Sequence, residues 1–396
     1  MRRFHFSSTA MAHMAFVPTG IVTVMLGPLL PLLAAKWSLN DTQSGFFISA
    51  QFAGALAGTA ASSFLLPRIG FGRSIAVGQV LMAIGVGSLI SGGFRLAIVA
   101  ICCYGIGIGV TIPAGNLTVA ETAGERRSSS VGLLNVSWGV GAMSCAVLLA
   151  FCQKIQGTEM FLRCVAGLFL MLAVIALTFS SDARRARAPA TQTSSRPWAR
   201  EFRNSAAIMI GALFFIYVGT ENALGAWLAS FAKRASDSPA LAWMTVTSYF
   251  YGALVVGRIL ASFALRQVTD AKQALGGALL TLFSSAALVL TRSVFAIALC
   301  AFVAGLGFST LYPITISLLS SRFGERAKSM GGFMFALSTL GGASVPWLVG
   351  FVSTRFHSLR SGLVIPFAGS LLMLAIFTQS WSGEPRNSSY QFTCQQ

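Results

Sequence analysis

Apolar segments of about 20 residues follow one another along almost the whole chain, separated by short polar turns. A helix rises ~1.5 Å per residue, so each segment is long enough to cross the ~30 Å hydrocarbon core of a membrane. The pattern therefore predicts an all-α membrane protein with twelve transmembrane helices, at 11–35, 42–66, 74–92, 96–119, 130–151, 161–180, 204–231, 240–264, 273–291, 293–319, 329–352 and 360–380.

One longer polar stretch, rich in Arg, Ser, Thr and Pro, interrupts this pattern after the sixth predicted helix. We interpret residues 181–203 as a cytoplasmic linker between two bundles of six helices. The predicted domains are an N-terminal bundle at 1–180 and a C-terminal bundle, followed by a short cytoplasmic tail, at 204–396.

The two predicted bundles share an internal repeat at an offset of 200 residues. The repeat matches glycines, prolines and a Gly-Glu-Arg tripeptide in one register without a gap. The matched positions are Gly105 and Gly305, Gly107 and Gly307, Pro113 and Pro313, Gly124 to Arg126 and Gly324 to Arg326, Gly132 and Gly332, and Gly141 and Gly341. A parallel repeat of two helical bundles is typical of transporters whose substrate site lies between the halves.

Composition supports the membrane assignment, and charge gives an orientation. The 396 residues are 55% hydrophobic and 10% charged, against roughly 25% charged in soluble domains. The net charge of +17 could suggest nucleic acid, but the Lys and Arg residues lie in short loops between the apolar segments. About twice as many fall on the side of the termini as on the other side, which predicts cytoplasmic termini. We expect a monomer in a bacterial inner membrane, with lipid as its surroundings and no nucleic-acid partner.

The loop between the second and third predicted helices, SFLLPRIGFGRS at 63–74, carries a family resemblance. With the twelve helices and the repeat, it resembles the major facilitator superfamily. Arg68, Gly70 and Arg73 match that superfamily's loop motif, while Pro67 stands where Asp is usual. We expect charges of this loop, of the Gly-Glu-Arg loops and of the eighth helix to control gating, namely Arg68, Arg73, Glu125, Arg126, Arg258, Glu325 and Arg326.

Three further stretches resemble the fucose permease-like group of sugar transporters. They are YVGTENALGAW, GIGIGVTIPAGNLTVAE and GLGFSTLYPITISL, in the seventh, fourth and tenth predicted helices. The resemblance implies transport of a monosaccharide, a hexose-like sugar, by alternating access with H⁺ or Na⁺ as a coupling ion. The group's carboxylates in the first and fourth helices align with Gly27 and Ile112, so proton coupling is not carried over from the family.

Glu221 is the acidic residue that lies deepest in a predicted helix, ~17 residues into the seventh. A charged side chain at the bilayer centre costs ~2.5–3.5 kcal/mol on insertion scales, so something must offset that cost. Glu221 either has a structural role, as a hydrogen-bond acceptor for unwound backbone or as the partner of a buried cation, or it binds substrate. Arg258 is a doubtful partner, because it lies nearer the cytoplasmic end of its helix. A carboxylate can accept several hydrogen bonds from sugar hydroxyls, which favours substrate binding.

Other polar or aromatic side chains at similar depth are candidates for the same site, although each could instead join helices or anchor them at the interface. Tyr249 and Tyr251 differ by ~200° around a helix, so only one of them is expected to face a central cavity. The predicted substrate-binding set is Glu221, Tyr217, Asn222, Gln51, Asn116, Asn135, Trp138, Tyr249 and Tyr312.

Two alternatives stay open at this stage. A lone membrane carboxylate also suits a proton-coupled exporter of drugs or small metabolites, and a non-transporting sensor could share the fold. The three His residues are dispersed, and the seven Cys residues show no metal-ligand spacing. We therefore expect neither an enzyme nor a metal or cofactor site.

Overall fold

A computed structural model describes residues 8–123, 127–179, 204–235, 239–263, 267–324 and 326–382. These residues form thirteen α-helices: α1 Ser8–Val24, α2 Leu26–Trp37, α3 Asp41–Ile69, α4 Phe71–Ser88, α5 Phe94–Thr122, α6 Arg127–Ile155, α7 Thr158–Phe179, α8 Ser205–Ala235, α9 Ala240–Phe263, α10 Asp270–Leu290, α11 Val294–Phe323, α12 Arg326–Arg355 and α13 Leu359–Ser382. The linker predicted at 181–203 lies outside the described residues.

The all-α membrane architecture predicted from the sequence is confirmed. Ten of the helices are long and apolar enough to cross a membrane, and α1 with α2 forms an eleventh, bent span. The 29-residue helix α3 packs along α5 and α12 and is the remaining member of the bundle. The arrangement is consistent with the twelve predicted crossings.

The first span differs from the continuous helix predicted at 11–35. Its two helices meet at Met25 at an angle of 45°. Pro28 lies three residues beyond the break and has no backbone N–H, so it cannot donate to the carbonyl of Val24 one turn earlier. A proline next to a break is a common cause of a sharp helix bend.

The internal repeat appears as a repeated packing scheme. In the first half, α5 packs against α3 and α4, α6 against α1, and α7 against α4. In the second half, α11 packs against α9 and α10, α12 against α8, and α13 against α10. Each pair in one half therefore has its counterpart in the other, as expected for two bundles related by a parallel repeat.

Several of the repeated glycines lie where two helices approach closely. A Cβ atom on Gly141 of α6 would collide with the Val17 carbonyl of α1. A Cβ atom on its repeat partner, Gly341 of α12, would collide with the Phe215 carbonyl of α8 in the same way. Small residues at such positions let helix backbones touch. The sequence repeat therefore corresponds to the same helix packing inside each half.

The two halves meet along three seams, α2 with α8, α3 with α12, and α6 with α9. We call the end of the bundle at which Ser8 and Ser382 lie the terminal end. The α3–α12 contacts, such as Ser49 Oγ donating to the Ala343 carbonyl at 2.7 Å, lie nearer the opposite end. Towards the terminal end, a Cβ atom on Gly132 or Gly332 would meet nothing within 4 Å, so neither glycine is in contact with the opposite half.

The α6–α9 seam also carries a groove on the outside of the bundle. Its volume is about 600 Å³ and its walls are mainly apolar. The lining includes Met143, Val147, Tyr249, Val256 and Phe302, all of them exposed. We call this feature the seam groove.

Candidate functional site

Glu221 lies halfway along α8 and remains partly exposed although helices surround it. The hydroxyl of Tyr217, one helical turn earlier, and the guanidinium of Arg258 on α9 are both within interaction range of its carboxylate. An opposite charge at this range lowers the cost of placing a carboxylate at membrane depth. The sequence position of Arg258 had suggested that it lies too far away, and the structure corrects that interpretation.

Three tyrosines surround this carboxylate. Tyr217, Tyr251 and Tyr312 all lie close enough for the charge of Glu221 to act on their hydroxyl groups. They come from α8, α9 and α11, so the C-terminal half supplies the whole group. The site therefore combines one acidic acceptor with several hydroxyl groups that can donate or accept hydrogen bonds.

Aromatic packing fixes these tyrosines in place. The ring centroids of Tyr217 and Tyr312 are 5.3 Å apart, and the Tyr217 ring lies 5.6 Å from Phe308 in an edge contact. The Tyr217 hydroxyl donates to the Phe308 carbonyl at 3.2 Å. The ring of Phe214 also contacts Tyr312, with centroids 5.9 Å apart. Edge and offset contacts at these distances are favourable, so the polar groups sit on a rigid wall.

Trp138 brings the N-terminal half to the same site. Its ring meets Tyr251 edge to face, with centroids 6.4 Å apart, across the α6–α9 seam. Its indole N–H points to the Thr23 hydroxyl at 3.4 Å. Tyr251 is buried, whereas Tyr249 is 51% exposed and lines the seam groove. Helical periodicity predicted that only one of the two tyrosines faces inward. The structure places Tyr251 there, so the inclusion of Tyr249 in the predicted substrate-binding set was wrong.

The predicted amide side chains are arranged in different ways. Asn222 and Asn135 donate to carbonyls of their own helices, at 2.8 and 2.9 Å, and each keeps some exposure. The buried Oδ1 atom of Asn116 accepts no hydrogen bond from the part of the chain that the structure describes. Gln51 is buried, and both ends of its amide are occupied, by the Thr23 carbonyl and the Tyr104 hydroxyl. Gln51 is thus held between helices of one half.

Three of the predicted gating residues, Arg68, Arg73 and Arg326, lie at the terminal end. Arg68 and Arg73 are exposed on either side of the turn at Gly70, whose φ of 79° favours glycine. Arg326 is exposed at the start of α12, and Arg258 lies beside Glu221 instead. Glu125, Arg126 and Glu325 lie outside the described residues, so the roles predicted for the Gly-Glu-Arg loops stay predictions.

Two halves with the same packing scheme, and a polar group beside a seam where they meet, are typical of a class of membrane proteins in which the halves move against one another. Comparison with known families gives the same answer. The model of the Major Facilitator Superfamily matches residues 13–346. The chain belongs to this superfamily.

Two curated bacterial relatives are similar along most of the chain. A glucose/galactose transporter of Brucella abortus is 26% identical over 374 residues, which cover 88% of each chain. The glucose/mannose transporter GlcP of Bacillus subtilis is 23% identical over 354 residues, which cover 85% of each chain. Among solved structures, a bacterial homologue of the human lysosomal transporter Spinster superposes with a TM-score of 0.74 at 14% identity, over 94% of this chain and 95% of that one.

Proposed function

We propose that the protein is a secondary active transporter that moves a hexose-like monosaccharide by alternating access. The observation that carries this proposal is the group of three tyrosines around the single carboxylate Glu221. Sugar hydroxyls can both donate and accept hydrogen bonds, and this group offers both partners. The ring of Trp138 at the edge of the site adds an apolar surface for a sugar ring. The names of the bacterial relatives point to the same class of substrate.

The proposed orientation places the terminal end in the cytoplasm of a bacterial cell, because the loops at that end hold most of the Lys and Arg residues. On this orientation the contacts of α3 with α8 and α12 close the outside, and we propose that the described conformation is the inward-facing one. The sugar enters and leaves between the halves, and no covalent step on the substrate is involved. We expect the unit in the membrane to be a monomer.

Ion coupling is the part of the proposal that involves Glu221 most directly. A carboxylate beside a fixed cation can exchange partners, since a proton or Na⁺ that neutralises it releases Arg258. We therefore expect symport with H⁺ or Na⁺, in which ion and sugar compete with Arg258 for one carboxylate.

Uptake of labelled glucose and galactose into proteoliposomes tests this proposal. Wild-type protein should accumulate sugar when either a proton or a sodium gradient is imposed, and Glu221→Gln should abolish accumulation. Tyr251→Phe, which removes one inward hydroxyl, should weaken uptake at least ~10-fold, because an unpaired polar group remains in the site. Tyr249→Phe is the matched control and should behave as wild type, because that hydroxyl faces the seam groove.

Each alternative result has a clear meaning. Equilibration without accumulation would identify a uniporter and remove the coupling role of Glu221. No flux of either hexose would refute the sugar assignment and favour the export of drugs or other metabolites. Equal loss in Tyr249→Phe and Tyr251→Phe would refute the location of the site.

A further inference from the structure

A second charged cluster lies at the end of the bundle opposite the termini, far along α8 from Glu221. Asp41, the first residue of α3, accepts two hydrogen bonds from the guanidinium of Arg234, near the end of α8, at 2.7 and 2.5 Å. The hydroxyl of Ser353 on α12 donates to the same carboxylate. Asp41 is 8% exposed, so the carboxylate is largely withdrawn from water. The cluster connects the two halves of the chain through three helices.

Helix ends favour both charges of this pair. The α3 helix begins with a capping box, in which Asn40 accepts from the Gln43 backbone N–H and Gln43 accepts from the Asn40 N–H. Asp41 therefore sits in the first turn, where the positive end of the helix dipole stabilises a negative charge. Arg234 lies in the last turn of α8, where the dipole stabilises a positive charge. A bidentate Arg–carboxylate pair that both helix dipoles stabilise is stronger than an ordinary surface ion pair.

The backbones around the cluster are in direct contact. The backbone N–H of Thr42 donates to the Thr354 hydroxyl at 2.9 Å, across the same two halves. A Cβ atom on Gly350 would collide with the Asp41 carbonyl, so α3 and α12 touch at this level. The Asp41 carboxylate cannot keep these partners when the halves separate, because they come from the opposite half. Closure of this end and formation of the cluster are therefore one event.

We propose that Asp41, Arg234 and Ser353 form an outer latch that stabilises the inward-facing conformation and sets how often the outside opens. This proposal rests on the alternating access of the proposed function, but it concerns different residues and needs no particular substrate. Removal of the Asp41 charge should raise the population that is open to the outside. The ratio of outward-open to inward-facing protein should increase at least ~10-fold, the scale of one lost charge-assisted hydrogen bond.

Distances between two spin labels measure this population without any substrate. Labels on cysteines that replace Gln156 and Phe356 would sit in exposed turns of the two halves at the latch end. The seven native cysteines are replaced by alanine or serine in this background, which must keep the unfolding midpoint of the wild-type protein. Wild-type protein should give mainly a short distance, and Asp41→Asn should add a longer one. Ser353→Ala, which removes one donor only, should shift the distribution in the same direction by less.

Glu159→Gln is the matched control. Glu159 pairs with Arg163 at 3.1 Å within α7, both side chains are more than half exposed, and the substitution removes one negative charge from the same end of the protein. It should leave the distances unchanged. If Asp41→Asn and Ser353→Ala also match wild type, the latch is refuted, whatever the protein transports; if Asp41→Asn does not fold, the result for Ser353→Ala decides. A shifted distribution in a protein that carries no hexose would support the latch and refute only the sugar assignment.

Discussion

Gly141 offers a direct test of the packing that the internal repeat describes. In Gly141→Ala, the new methyl group would occupy the space of the Val17 carbonyl oxygen on α1. This neighbour is backbone and cannot rotate away, so α1 and α6 would have to separate by roughly 1–2 Å to recover van der Waals distance. Overpacking of this kind costs ~1–3 kcal/mol.

A second, opposite effect must be subtracted. Alanine in place of glycine inside a helix stabilises it by up to ~1 kcal/mol. Gly167→Ala in α7 isolates this gain, because a Cβ atom there would meet nothing within 4 Å. We therefore expect Gly167→Ala to be neutral or slightly stabilised and Gly141→Ala to be destabilised. Gly341→Ala should resemble Gly141→Ala, since it would collide with the Phe215 carbonyl.

Thermal unfolding of the purified protein in detergent, followed by tryptophan fluorescence, compares the three variants. The apparent midpoint should fall for Gly141→Ala and Gly341→Ala and stay or rise for Gly167→Ala. Each collision lies inside a single half, so the result should not depend on which side of the transporter is open. Equal midpoints for all three variants would show that close backbone contact does not stabilise the helix packing within each half.

Three further results are expected. Arg258→Met should lower the unfolding midpoint, because it leaves Glu221 without its countercharge. Adding Glu221→Gln to the same chain should restore much of that loss, whereas additive losses of the two substitutions would argue against the pair. Trp227→Phe should cost ~1–3 kcal/mol, because it removes the indole donor to the buried Pro346 carbonyl at 2.9 Å; an unchanged midpoint would contradict this. Pro28→Ala should straighten the first span and slow uptake, and wild-type rates would show that the bend is dispensable.

Much of the architecture could be predicted because it depends on local pattern. The length of each apolar segment predicted the helices, and the matches at an offset of 200 residues predicted two related halves. The exposure of Tyr251 and Tyr249 shows where this information ends. Their spacing predicted that the two side chains do not face the same way. Which of them faces inward depends on the helices that pack against α9, and a local sequence pattern does not contain this information.

Contacts between distant parts of the chain were harder to foresee. The depth of Arg258 was counted along its own helix, and that count does not show how far the guanidinium reaches toward α8. Asp41 and Arg234 are 193 residues apart in the chain, and the sequence around each of them does not predict that they pair. The capping box at Asn40 marks the start of a helix and carries no information about a contact between the halves. Partners of this kind emerge when the whole bundle is assembled.

The seam groove has a mechanical consequence. The groove has a volume of about 600 Å³ and mainly apolar walls, formed by α6 and α9 with Phe302 of α11. The boundary across which the halves must slide runs between α6 and α9, so acyl chains of the bilayer would fill the groove. At the α6–α9 seam, the two halves would then slide partly against fluid lipid instead of against packed protein. The friction of the transport cycle should accordingly follow membrane viscosity, and turnover should drop sharply when the surrounding lipid passes from the fluid to the gel phase.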